Sequence, residues 1–81
     1  MYAELRTTGG VTLATITTRT PDVGTAMRGL ARKAGLTYRE PALVTHYPGG
    51  GTFHVQFGRF LPRLQATTLS RTYIVWCEGV R

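Results

Sequence analysis

The sequence predicts an α+β fold: a single small domain over residues 1–81, in which one helix packs on a mostly antiparallel sheet. Two pairs of β-forming segments turn around glycines, and one segment between them repeats its apolar residues with helical spacing. The length of 81 residues leaves room for one hydrophobic core, and an apolar content of 42% is enough to form it. The expected order of elements is therefore β-β-α-β-β-β.

The N-terminal segment predicts a β-hairpin, because Gly9-Gly10 is a two-residue turn signal between flanks rich in threonine and branched residues. A register that pairs Leu5 with Ala14 and Ala3 with Ile16 places apolar side chains together on one face. We expect this face to contribute to the core.

The following segment predicts a helix with Thr20 as its N-cap, Pro21 at the first helical position and Asp22 in the first turn. Gly35 is placed to adopt the left-handed conformation that ends a helix, with Leu36 packing back beyond it. The apolar residues between these ends have the spacing of an amphipathic helix: Val23, Ala26, Met27, Leu30, Ala31 and Ala34.

The C-terminal half predicts three further strands. Residues 43–47 and 53–57 form a second hairpin around Pro48-Gly49-Gly50-Gly51. Residues 60–70 are interpreted as a crossover or a poorly formed edge strand, since Leu61-Pro62 breaks regular structure. Residues 72–77 are an unbroken run of β-formers, which predicts a strand near the middle of the sheet, covered on both faces.

The charge composition favours a polyanionic or acidic partner. Ten basic residues, nine of them arginine, stand against four acidic ones, and the formal net charge is +6. The planar guanidinium group suits phosphates and carboxylates, although a codon bias toward arginine would produce the same composition. The residues predicted to contact a nucleoprotein complex or nucleic acid through a basic face are Arg28, Arg32, Lys33, Arg39, Arg59 and Arg63.

No group of side chains in the sequence has the spacing of a catalytic, cofactor or metal site, so we expect neither enzyme activity nor a cofactor. His46 and His54 share one sheet surface in one register of the second hairpin and point to opposite faces in the next. Cys77, the single cysteine, lies among apolar residues and is interpreted as core packing. Phe60 and Tyr73 are likewise interpreted as core residues rather than stacking platforms.

The N-terminus lacks a basic leader followed by an apolar run, and no stretch approaches the roughly 18 apolar residues that span a bilayer. A single cysteine also excludes an internal disulfide framework. We therefore expect a cytoplasmic protein without a membrane partner.

Three motifs follow one another along the chain: Thr7-Thr8-Gly9-Gly10 in the first hairpin, Thr20-Pro21-Asp22 opening an Ala- and Arg-rich helix, and Pro48-Gly49-Gly50-Gly51 in a β-meander. In this architecture the chain resembles small phage-encoded proteins, among them anti-CRISPR proteins. The resemblance implies a compact protein that acts in the host cytoplasm by occupying a surface of a nucleic-acid-handling complex, such as a CRISPR effector. Many anti-CRISPR proteins are acidic mimics of DNA, and a net charge of +6 implies a different mechanism here.

The function expected from these features is that of a small, basic, non-enzymatic binding or inhibitory protein of phage or mobile-element type. A simple DNA- or RNA-binding regulator is the main alternative. A small ribonuclease toxin is a third class, because such enzymes can act with Arg, His and Tyr on a sheet and need no metal.

Overall fold

The computed structural model describes residues 1–80 and confirms the α+β fold and the order β-β-α-β-β-β. The elements are β1 (Tyr2–Thr7), β2 (Thr12–Thr17), α1 (Val23–Lys33), β3 (Glu40–Tyr47), β4 (Thr52–Leu61) and β5 (Ala66–Cys77), with a 3-10 turn (Pro62–Leu64) between β4 and β5. Within residues 1–80, no helix has the length and apolarity needed to cross a membrane.

The five strands form one antiparallel sheet in the order β2-β1-β5-β4-β3. The predicted register of the first hairpin is confirmed, since Leu5 pairs with Ala14 and Ala3 with Ile16. Helix α1 packs against one face of this sheet. A β-carbon at Gly29 would lie 2.6 Å from Ile16 Cδ1, so glycine allows the helix to approach β2 closely.

The core lies between α1 and this face of the sheet. As the helical spacing predicted, the helix buries four of its apolar residues, and β1, β4 and β5 bury every second residue. The buried residues are Ala3, Leu5, Ala26, Met27, Leu30, Ala31, Phe53, Val55, Phe57, Tyr73, Val75 and Cys77.

Strand β5 is the central strand, as predicted, but the expectation that both of its faces are covered is wrong. Ile74 and Trp76 point away from the helix and are only half-buried. Neighbouring side chains partly shield them: the ring centroids of Trp76 and Tyr2 are 6.1 Å apart, and the Arg6 guanidinium carbon lies 6.0 Å from the Trp76 ring centroid. An apolar run therefore persists on a face that no second layer covers in the described part of the chain.

The N-cap of α1 is Asp22 and not Thr20, because the helix begins at Val23. The Asp22 carboxylate accepts hydrogen bonds from Gly24 N–H at 3.1 Å and from the Thr25 hydroxyl at 2.5 Å. The Thr25 hydroxyl, followed by the backbone N–H groups, lowers the pKa of Asp22. A carboxylate offers two acceptor oxygens to the first turn, whereas threonine offers one hydroxyl. This difference favours Asp22 over Thr20 as the N-cap.

The C-terminal cap of the helix is as predicted. Gly35 adopts φ 73°, its N–H donates to Arg32 O at 3.0 Å, and Leu36 N–H donates to Ala31 O at 2.9 Å. These two bonds satisfy carbonyl groups that the helix end leaves free, and Leu36 packs against the core.

The turn of the first hairpin differs from the predicted two-residue turn at Gly9-Gly10. Gly10 N–H donates to Thr7 O at 2.9 Å, which makes Thr8 and Gly9 the central residues, and Gly10 adopts φ 94°. The loop is therefore one residue longer, and the ladder shifts register after Leu5.

Candidate functional site

Strands β4 and β5 continue beyond the rest of the sheet as a two-stranded arm, residues 59–68. Arg59 pairs with Thr68 in the arm, whereas β3 pairs with β4 no further than Gly58 and β1 pairs only with residues 73–77 of β5. The arm strands therefore have only each other as partners. The molecule measures 40 Å along its longest axis and 23 and 22 Å in the other directions.

The interpretation of residues 60–70 as a crossover or poorly formed edge strand is thus wrong. Leu61-Pro62 does not interrupt the strand early but starts the 3-10 turn at the tip of the arm. Gln65 ends this turn with φ 50°, and the chain returns along β5. The sequence of the arm shows neither the helical period of 3.6 residues nor the strand period of two. A two-stranded arm packs on no core, so its apolar and polar residues need not alternate.

A β-bulge lies at the base of the arm. Phe57 on β4 opposes both Ser70 and Arg71 on β5. Ser70 Oγ accepts a hydrogen bond from Phe57 N–H at 2.9 Å and donates one to Arg71 O at 2.7 Å, so a side chain replaces a missing ladder bond. Because bulges bend and twist a strand, this one sets the direction in which the arm leaves the sheet.

An open groove of about 500 Å³ lies where the arm meets β3 and the segment after α1. We call it the arm groove. Glu40, at the start of β3, pairs with Gly58 and so brings Arg39 close to Arg59. A β-carbon at Gly58 would lie 2.7 Å from Ala42 Cβ, so glycine keeps the floor of the groove open. The lining residues are Thr37, Arg39, Glu40, Ala42, Gly58, Arg59, Phe60 and Thr67.

Three of the six predicted contact residues lie around the arm groove. Arg39 and Arg59 line it and are exposed, and Arg28 reaches toward it from α1, with its Nη1 3.6 Å from Glu40 Oε2. Arg39 Nε donates to Leu36 O at 3.0 Å, which orients the guanidinium and uses one of its five N–H donors. Two arginines thus line the groove, and a third pairs with its glutamate.

The other three predicted residues lie apart from the groove. Arg63 belongs to the 3-10 turn at the tip of the arm, and Arg32 lies in the last turn of α1. Lys33 lies at the β2 edge of the sheet, where its Nζ donates to Thr15 O at 2.7 Å. The six residues are therefore distributed over α1, the arm groove, the tip of the arm and the β2 edge.

Exposed apolar side chains accompany the cations of the arm. Phe60 is 57% exposed and Leu64 at the tip is 71% exposed. The interpretation of Phe60 as a core residue is wrong, because the arm lies outside the core, whereas Tyr73 is buried as predicted. An exposed ring next to arginines is a common arrangement in surfaces that bind nucleic acids.

The two histidines lie on opposite faces of the sheet. His46 pairs with Phe53, so the register that would have brought the imidazoles together does not occur. The His46 ring stacks on Phe53 with centroids 4.5 Å apart, and His54 Nδ1 lies 3.3 Å from the Tyr47 hydroxyl. The two imidazoles cannot act on one substrate atom in this arrangement.

Cys77 is buried in β5, as interpreted from the sequence, and burial raises the pKa of its thiol. A raised pKa leaves little nucleophilic thiolate at neutral pH. Among residues 1–80, no three His, Cys, Asp or Glu side chains lie close enough together to hold a metal ion.

Sequence reasoning missed Glu40, Gly58 and Thr37 as parts of a site. The pairing of Glu40 with Gly58 carries no local signal, because it depends on a register shift between Pro41 and Leu43. The run Gly58-Arg59-Phe60, a glycine before a cation and a ring inside a strand, is the feature that could have indicated a close backbone approach.

Comparison with known protein families, with characterised proteins and with solved structures finds no match to this chain.

Proposed function

We propose that the protein is a small non-enzymatic binding protein that engages a nucleoprotein complex. In this proposal it binds the nucleic acid of the complex in the arm groove and along the arm. The observation that carries this proposal is the placement of Arg39, Arg59 and the exposed ring of Phe60 along one groove. Phosphate oxygens are the partners that such paired guanidinium groups recognise best.

The electrostatics support a polyanion at this site. Glu40 is the one acidic residue lining the groove, and Arg28 stands 3.6 Å from it, so Arg39 and Arg59 are left to attract a ligand. Both are exposed, so a phosphate can reach them without a rearrangement of the fold. Phosphate contacts of this kind position a protein without reading sequence.

The shape supports a groove- or strand-binding mode. A two-stranded arm is narrow enough to enter the major groove of a duplex, and exposed Phe60 and Leu64 are suited to stack on or wedge between bases. At the base of the arm, the Ser70 hydroxyl bonds to the backbone of both Phe57 and Arg71 and so holds the bulge. The arm is therefore presented in a defined direction.

Such a protein would act by occupying the path of the nucleic acid in the complex. This mode agrees with the inhibitory mechanism that the resemblance to anti-CRISPR proteins implies, and with a basic rather than an acidic chain. The placement of the two histidines on opposite faces favours binding over ribonuclease chemistry.

The test is the double variant Arg39→Ala with Arg59→Ala, measured by fluorescence anisotropy on labelled duplex DNA, duplex RNA and single strands at about 50 mM salt. We expect affinity to fall about a hundredfold or more, because hydrogen bonds to charged groups contribute about 1.5 to 3 kcal/mol each and the variant removes two arginines. The slope of log K against log salt should fall by about two on duplexes, since each lost phosphate contact removes about 0.9.

The matched control is Arg19→Ala with Lys33→Ala, which removes the same charge on the β2 side of the sheet. We expect it to change affinity by less than about threefold, as general screening effects do. Equal losses in both double variants would show that net charge and not the arm groove governs binding. A wild-type protein that binds none of these nucleic acids at low salt would refute the proposal.

A further inference from the structure

We propose that strand β3 is a self-association edge, at which a second copy of this chain adds its own β3 antiparallel and continues the sheet across a two-fold axis. β3 is the last strand of the sheet, and only β4 pairs with it. In any edge strand, alternate N–H and C=O groups point outward without a partner. A further extended strand can pair with these groups along their whole length, so the occupant that we propose is a β-strand.

The two edges of the sheet differ. At the β2 edge, Lys33 Nζ donates to Thr15 O at 2.7 Å, so an ammonium group occupies that edge. A lysine at an edge strand opposes the approach of a further strand. The β3 edge has no charged group from Ala42 to Tyr47, and its proline and register shift lie only at its start, between Pro41 and Leu43. Of the two edges, β3 is therefore the one open to pairing.

The charge distribution identifies a second copy as the partner. Residues 41–58 contain no Asp, Glu, Lys or Arg, although the chain carries a net charge of +6. Two such chains repel each other across most surfaces, and they can approach where neither presents a charge. An antiparallel pair of identical strands also satisfies two-fold symmetry, since each residue makes the same contacts in both copies.

The exposed apolar side chains of β3 favour pairing with a second strand. Six consecutive residues, from Ala42 to Tyr47, are exposed, and Leu43, Val44 and Tyr47 remain 54%, 47% and 46% exposed. Leu43 and Tyr47 lie on one face of the strand and Val44 on the other. A second β3 would place cross-strand neighbours beside all three, which is how sheets bury such residues.

The test compares Leu43→Lys with Leu13→Lys, which makes the same change at an exposed leucine beside the β2 edge. Sedimentation velocity over about a hundredfold range of protein concentration should show a dimer for the wild type and for Leu13→Lys, because dimerisation follows mass action. Leu43→Lys should be a monomer with an unchanged circular dichroism spectrum. Hydrogen exchange at the outward-facing amides among residues 42–47 should be slow in the wild type and faster in Leu43→Lys.

A wild-type monomer at every concentration would overturn the proposal. So would equal dissociation by both lysine variants, or a dimer in which the β3 amides exchange as fast as in Leu43→Lys. These results are independent of nucleic-acid binding, because Leu43 does not line the arm groove. The two proposals can therefore fail separately.

Discussion

At the scale of single residues, glycines decide how closely parts of the chain approach. Gly51, the last residue of the second hairpin loop, is buried at φ 60°, and Cys77 N–H donates to its carbonyl at 2.8 Å. A β-carbon at Gly51 would lie against the Cys77 carbonyl and 2.8 Å from Val80 O. The last residue of the loop is thus fixed to the end of β5.

Gly51→Ala is therefore expected to destabilise the protein by about 1 to 3 kcal/mol, since alanine adds backbone strain and a clash with main-chain atoms. The matched variant Gly50→Ala meets nothing closer than Thr52 Oγ1 at 3.6 Å and should change stability by less than about 0.5 kcal/mol. Urea unfolding measures both. Equal stabilities of the two variants would contradict the tight approach at Gly51.

At the scale of elements, the helix supplies the layer that the sheet needs. Four side chains of α1 are buried on β1 and the neighbouring strands, and both helix ends are capped by local hydrogen bonds. The second layer is short, so each apolar contact of α1 accounts for a large part of a small core. Stability is therefore sensitive to single positions of the helix.

Leu30→Ala should cost about 2 to 5 kcal/mol, because Leu30 is fully buried and the change leaves a cavity under the helix. The whole free energy of unfolding of an 81-residue domain is roughly 4 to 12 kcal/mol, so this variant should be partly unfolded at 37 °C. Arg32→Ala, exposed on the same helix, serves as the control and should stay within about 0.5 kcal/mol of the wild type. A loss below about 0.5 kcal/mol for Leu30→Ala in chemical denaturation would contradict its burial.

At the scale of the whole molecule, the structure separates the part that folds from the part that we propose to bind. The core ends at Phe57 on β4 and at Tyr73 on β5, and no residue of the arm is buried. Strands β1 and β3 contact neither side of residues 59–68 in the ladder. The arm therefore contributes little to stability.

Replacing residues 59–68 by Asn-Gly, a two-residue hairpin turn, should leave the melting temperature nearly unchanged. Nucleic-acid binding should fall at least as far as in the Arg39 and Arg59 double variant, because both the arm cations and Phe60 are removed. Thermal melting and anisotropy titrations check the two halves of this expectation. Retained binding would place the nucleic-acid site elsewhere, and loss of folding would show that the arm supports the core.

The sequence by itself determined the elements whose signals are local. The period of 3.6 residues predicted the helix, and Gly35 predicted where it ends. The match of Leu5 with Ala14 predicted the register of the first hairpin. These features depend on neighbours within a few residues, or on one hairpin, so the pattern of side chains is sufficient. The central position of β5 also followed, from its unbroken run of β-formers.

Only the tertiary structure decided the arm, the open face of the sheet and the grouping of cations. An arm without a core shows no period, and half-shielded residues such as Trp76 look as apolar in sequence as fully buried ones. Arg39 and Arg59 are 20 positions apart, and the pairing of Glu40 with Gly58 brings them to one groove. Lys33 lies instead at the β2 edge of the sheet. Such placements depend on long-range register, which local sequence does not encode.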